Sequence, residues 1–86
     1  MRRPAEFFDD QDVALVHIAS TLRGALRLET LLTEGGIDYA VETDRYLSGF
    51  LFMTEKTGAF FYVLASQAEA ARALLKRHRF RVHRDE

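Results

Sequence analysis

The chain has 86 residues, 48% hydrophobic and 29% charged, with a formal net charge of −1 and no cysteine. This composition belongs to a globular protein with one core, and it excludes disulfides, thiolate metal sites and thiol chemistry. The near-neutral charge offers no general attraction to nucleic acid, and no stretch reaches the roughly 18 apolar residues of a membrane helix.

Residues 1–11, MRRPAEFFDDQ, have charge and no apolar run behind their two arginines, so they do not read as a signal segment. They are expected to form a flexible N-terminal arm, with Phe7 and Phe8 as its docking groups. Residues 12–20, DVALVHIAS, are rich in branched side chains and read as a strand. Alternation puts Ala14, Val16 and Ile18 on one face and Val13, Leu15 and His17 on the other. Because both faces are apolar, this strand is expected at the centre of a sheet.

Residues 21–36 read as a helix with a stripe of Leu22, Ala25, Leu26, Leu28 and Leu32. Ser20 or Thr21 can cap its start, and Gly35-Gly36 stops it. In residues 37–44, Ile37, Tyr39 and Val41 alternate with outward Asp38, Glu42 and Asp44, which predicts a strand with one wet face. GFLFM (49–53) and AFFYVLA (59–65) flank TEKTG, which predicts a hairpin turning at TEKTG, with RYLSG (45–49) open between a loop and a single helical turn. Residues 66–80 open with Ser66-x-x-Glu69, the pattern of a capping box, and bury Ala68, Ala71, Leu74, Leu75 and His78. Phe80 and Val82 alternate with Arg81 and His83, which predicts a short last strand over 80–83 or a tail. Residues 12–83 are expected to be the single domain, and 84–86 a tail.

The order β-α-β-β-α, with an optional last strand, predicts an α+β fold: a ferredoxin-like βαββα(β) plait with an antiparallel sheet and two helices on one face. Its core is expected to include Leu26, Leu32, Ile37, Val41, Leu74 and Leu75.

A helix ending LLTEGGI (31–37), a strand leading into DRYLSG (44–49), and an apolar strand followed by ASQAEAARALL (65–75) together resemble a family of small bacterial signal-transducing proteins of unassigned activity. The resemblance covers residues 12–76. It implies a ferredoxin-like fold similar to the nitrogen-regulatory PII proteins and a regulatory role, and it carries over no catalytic residue. Gly24 and the aromatic hairpin depart from the family pattern.

Candidate chemistry is sparse. Ser20, Ser48 and Ser66 have no nucleophile-elbow context, and His17, His78 and His83 lack the spacing of a helical zinc pair. No metal or cofactor is expected. His17, Glu42 and Tyr62 could do acid–base work if they converged; otherwise His17 is a half-buried histidine satisfied by a neighbour. Aromatics on a sheet can stack bases, but Asp38, Glu42 and Asp44 put negative charge near that surface and argue against RNA.

The partner reading is stronger. A small domain buries only about 60–65% of its unfolded surface, so self-association is a natural source of stability. A plait with both helices on one face leaves the other face open, here carrying Val13, Leu15 and either Phe60, Tyr62 and Leu64 or their neighbours. An apolar face of that kind marks an interface, unless Phe7, Phe8 and residues 45–53 fold over it. The charge is also divided: residues 1–44 hold four basic and nine acidic side chains, and residues 45–86 eight and four. His17, Glu42, Asp44, Tyr46, Phe60 and Tyr62 are therefore the candidate ligand or interface residues. The leading expectation is a non-enzymatic, cytoplasmic regulatory or interaction module that forms homodimers, with a protein partner or a small-molecule effector, no membrane and no nucleic acid. The alternatives are a small enzyme of the dimeric α/β-barrel type and a monomeric ligand-binding domain.

Overall fold

The computed structural model describes residues 1–49 and 51–82. In chain order it contains β1 (Val13–Ala19), α1 (Leu22–Glu34), β2 (Tyr39–Ser48), β3 (Thr54–Leu64) and α2 (Ala68–Arg77), with 3-10 turns at Ala5–Phe8 and Ala65–Gln67. The strands form one three-stranded antiparallel sheet in the order β1-β3-β2. β3 is central and β1 is an edge strand, contrary to the expectation from its two apolar faces. Of the expected strand over 80–83, Phe80, Arg81 and Val82 lie in no strand; His83 and the 84–86 tail fall outside the described residues.

Leu28 and Leu32 of α1 and Ala71 and Leu75 of α2 close on Val16, Tyr39, Phe61 and Val63 in one buried cluster. Burying each Leu, Val or Phe is worth about 1.5–3 kcal/mol relative to exposure, so this cluster dominates stability. The buried Tyr39 keeps its hydroxyl satisfied by donating to Glu29 Oε1 at 3.0 Å. Leu32, Ile37 and Leu75 are buried as expected, and Val41 and Leu74 are half-buried. Leu26 is 53% exposed and Leu22 76%, so neither belongs to the core. At 100° per residue the buried side of α1 follows Ala25, Leu28 and Leu32, and Leu26 lies roughly 120° round from it.

The helix ends follow local chemistry. Thr21 caps α1 by accepting from the Gly24 amide at 3.0 Å. Gly36, at φ 72, closes the other end, with Ile37 N–H donating to the Leu32 carbonyl. α2 stops in the same way without a glycine: Arg79 takes φ 64 and Phe80 N–H donates to the Leu75 carbonyl. The capping box expected at Ser66 is absent. α2 opens through a 3-10 turn with Gln67 at the cap and no side-chain bond from it, and Glu69 pairs with Arg72 instead.

The β2–β3 hairpin turns one segment earlier than the sequence suggested. Ser48 pairs with Thr54, so TEKTG is strand and the chain reverses between Ser48 and Thr54. Gly49, at φ 130, permits it, because a Cβ there would lie 2.2 Å from the Phe52 carbonyl oxygen. Gly58, which looked like a turn glycine, sits inside β3. A Cβ at Gly58 would lie 2.7 Å from Tyr46 Cε1 and 2.9 Å from Ile18 Cγ2.

Residues 1–11 are docked rather than loose. Arg2 bridges to Tyr39 in parallel, Arg3 N–H donates to the Tyr39 carbonyl at 2.8 Å, and the Arg3 guanidinium lies 3.2 Å from Asp38. β2 offers unpaired backbone groups at that edge, and the arm takes them.

Candidate functional site

Cross-strand register sorts the sheet into two faces. Tyr39, Val41, Phe61 and Val63 join the helix-side cluster. The alternate residues point to the other, outer face. There Ala40 lies opposite Tyr62, Glu42 opposite Phe60, Asp44 opposite Gly58 and Tyr46 opposite Lys56. From β1, Val13, Leu15 and Ile18 lie opposite Leu64, Tyr62 and Phe60. Five of the six residues singled out in the sequence, Glu42, Asp44, Tyr46, Phe60 and Tyr62, therefore share this face.

His17 does not. The register of β1 slips between Leu15 and His17, so Val16 is an extra residue and His17 lies opposite Phe61. A bulge puts two successive side chains on one side of the strand, and here Val16 and His17 both turn toward the helices. The His17 ring lies 6.4 Å from Phe61 and 5.4 Å from Phe80, centre to centre. Its Nδ1 is 2.6 Å from the Arg81 carbonyl; since a carbonyl only accepts, Nδ1 carries the proton. Burial is the main cause that lowers the His17 pKa; the bond to Arg81 opposes it and the Arg81 charge adds to it. His17 is thus satisfied by a neighbour, and the sheet separates it from Glu42 and Tyr62. The acid–base set of His17, Glu42 and Tyr62 is not assembled.

On the outer face, Leu15, Ile18, Phe60, Tyr62 and Leu64 are half-buried, and Val13 is 42% exposed. Tyr46 stands edge-on to Phe60 at 6.1 Å. Gly58 leaves space for that ring, which a β-carbon would displace. Glu42 and Asp44 remain exposed, and Asp44 Oδ1 accepts from the Arg45 amide at 2.7 Å. A cavity of about 380 Å³ lies at the other end of the face, lined by Ala5, Phe8, Asp9, Val13, Ala40, Glu42 and Tyr62. Two of these groups are carboxylates and the rest are mainly apolar. The cavity could take a small molecule with a cationic end.

The sequence reading missed a second surface. A groove of about 720 Å³ runs along α1 between Leu22, Leu26 and Leu31 and the Phe80 ring, with Arg23 and Arg27 on its rim. The Arg27 guanidinium stacks over Phe80 at 4.6 Å. At the hairpin end, Leu47, Leu51, Phe52 and Met53 are all more than half exposed. Neither surface was expected: GFLFM read as a strand of the hairpin, and Leu22 and Leu26 read as core. Phe50 itself lies outside the described residues. No protein family, curated protein or solved structure matches this chain.

Proposed function

We propose that this chain is a small non-enzymatic interaction module that self-associates through the outer face of its sheet. One observation carries the reading: a band of Leu15, Ile18, Phe60, Tyr62 and Leu64 crosses the face turned away from α1 and α2, and Val13 at its end is 42% exposed. Monomers rarely expose contiguous apolar ground without a partner for it. A two-fold pairing of the face with its own copy would cover the band and leave Glu42 and Asp44 at the rim. Buried aromatics would then supply affinity, while rim charges would tune rate and register.

The strand order β1-β3-β2, with a helix after β1 and another after β3, supports a ferredoxin-like plait with no strand beyond β1 among the described residues. In that light the resemblance to bacterial signal-transducing domains favours a regulatory role in the cytoplasm. Among the described residues no helix is long and apolar enough to cross a membrane. The outer-face cavity favours one second reading, a small-molecule effector site holding Glu42 and Tyr62. An enzyme of the dimeric α/β-barrel type, with a pocket between helices and sheet, has less support, because His17 on that side is engaged by the Arg81 carbonyl and packed by Phe61 and Phe80.

Sedimentation velocity over a micromolar concentration series tests the proposal. The wild type should dimerise, and Tyr62→Asp should give a folded monomer with an unchanged circular-dichroism spectrum. A wild type that stays monomeric across the series would overturn self-association, and saturable binding of a small cation to that monomer would support the effector site instead.

A further inference from the structure

Phe8 is only 7% exposed, although Glu6, Phe7, Asp9 and Asp10 around it are all exposed. It shares the outer-face cavity with Val13, Ala40 and Tyr62. The chain's own arm therefore occupies part of the ground that a second copy would need.

The arm is attached by two backbone hydrogen bonds at Tyr39, from Arg3 N–H at 2.8 Å and to the Met1 carbonyl at 3.1 Å, and by the Met1 ammonium, which donates to the Ile37 carbonyl at 2.6 Å and lies 3.8 Å from Asp38. The Arg3–Asp38 pair at 3.2 Å and the Arg2–Glu29 pair at 3.6 Å add to these. The ion pairs are partly exposed, so water and salt weaken them. Asp9 of the arm and Glu42 of the sheet line the same cavity, and their like charges oppose the arm's seating. The burial of the Phe8 ring favours seating as well. Asp10, at φ 63, turns the chain from the arm back toward β1 and gives a point about which the arm can lift.

We propose that residues 1–11 are a built-in competitor for the outer face: Phe8 occupies the association surface, and the arm lifts before two copies join. The proposal rests on the reading of that face as the self-association surface. Association then reports the fraction of open arms. Both copies must open, so the apparent affinity falls with the square of the open fraction, about 100-fold for an arm open about a tenth of the time.

The test compares full-length wild type, Phe8→Ala and Glu6→Ala by sedimentation over a concentration series. Glu6 is exposed and does not line the cavity, so it controls for general changes in the arm. The competitor predicts that Phe8→Ala dimerises tenfold or more tightly than wild type, on the order of the open-fraction penalty, while Glu6→Ala matches wild type. Equal or weaker dimerisation of Phe8→Ala overturns the competitor and leaves the self-association reading standing. If no chain associates at all, both fall together. Hydrogen exchange at the Arg3 amide of the wild type decides the matter even if Phe8→Ala does not fold. Protection lost as dimer forms supports the competitor, and protection retained in the dimer overturns it.

Discussion

Phe60 and Phe61 are neighbours in one strand and have opposite surroundings. Phe61 has no exposed surface and stacks on Tyr39 at 5.8 Å. Phe60 is half-buried beside Tyr46, on a face without a helix. The same alternation separates Val63 from Tyr62. The run AFFYVL thus does two jobs at once. Its odd-numbered residues hold the helices, and the strand places the even-numbered ones whether or not anything covers them. Packing fixes the helix face by volume, a constraint the half-buried outer face does not share.

The widest separation of the two faces should appear in stability. Phe61→Ala should lose about 3–5 kcal/mol, the usual range for a fully buried aromatic. Phe60→Ala should lose well under half of that in the monomer. Urea unfolding of both variants measures the difference, and equal losses would break the distinction between the faces.

A middle-sized effect should come from the outer face itself. Gly58→Ala places a methyl group against Tyr46, Ile18 and the Ala19 carbonyl, and overpacking of this kind loses about 1–3 kcal/mol. Adding Tyr46→Ala should recover part of the loss, because the ring is the nearest obstacle. A double-mutant cycle with no coupling would show that the two residues do not pack together.

The smallest effect should be pH-dependent and belongs to the helix face. Burial holds the His17 pKa below its ordinary 6.5. The unfolded chain then takes up the proton first, so stability is fully present above pH 6.5 and is lost as pH falls through the lower folded value. His17→Gln can still donate to the Arg81 carbonyl but does not titrate. Its stability should fall less than that of the wild type in chemical denaturation between neutral pH and pH of about 5, a range that spans ordinary histidine titration. Parallel curves would remove the burial argument.

Much of the sheet was legible because a period of two is unambiguous where it is unbroken. Glu42 and Asp44 on one side, and Tyr39 and Val41 on the other, follow from alternation alone. β1 breaks the pattern. The bulge adds Val16 without a signal that DVALVHIAS could give, and every side chain after it changes face, His17 first. Partner loss in the ladder is a three-dimensional event. The hairpin misled for a different reason. TEKTG has turn composition, but Gly58 is there to seat Tyr46 and Gly49 to make the turn, and two glycines of the same spelling serve opposite ends. In α1, Leu22 and Leu26 fit a helical stripe, yet only Ala25, Leu28 and Leu32 are buried. Propensity and period give a helix its apolar residues but not the width of what they meet. The arm escaped notice because its anchors, Arg3 on Asp38 and the Tyr39 backbone, involve partners more than 30 residues away.

The bulge in β1 also bears on aggregation. An edge strand with a regular row of free amides and carbonyls is a template for strands of other molecules. At the other edge, the arm covers the start of β2. β1 has no strand beyond it among the described residues, but its spacing is interrupted at Val16, and the Arg72 guanidinium reaches the Leu15 carbonyl at that point, at 3.5 Å. Arg72 is itself buried, at 8% exposure, so an added strand would have to displace a charge held inside the fold. Both edges of the sheet that carries so apolar a hairpin are thereby blunted against strand addition.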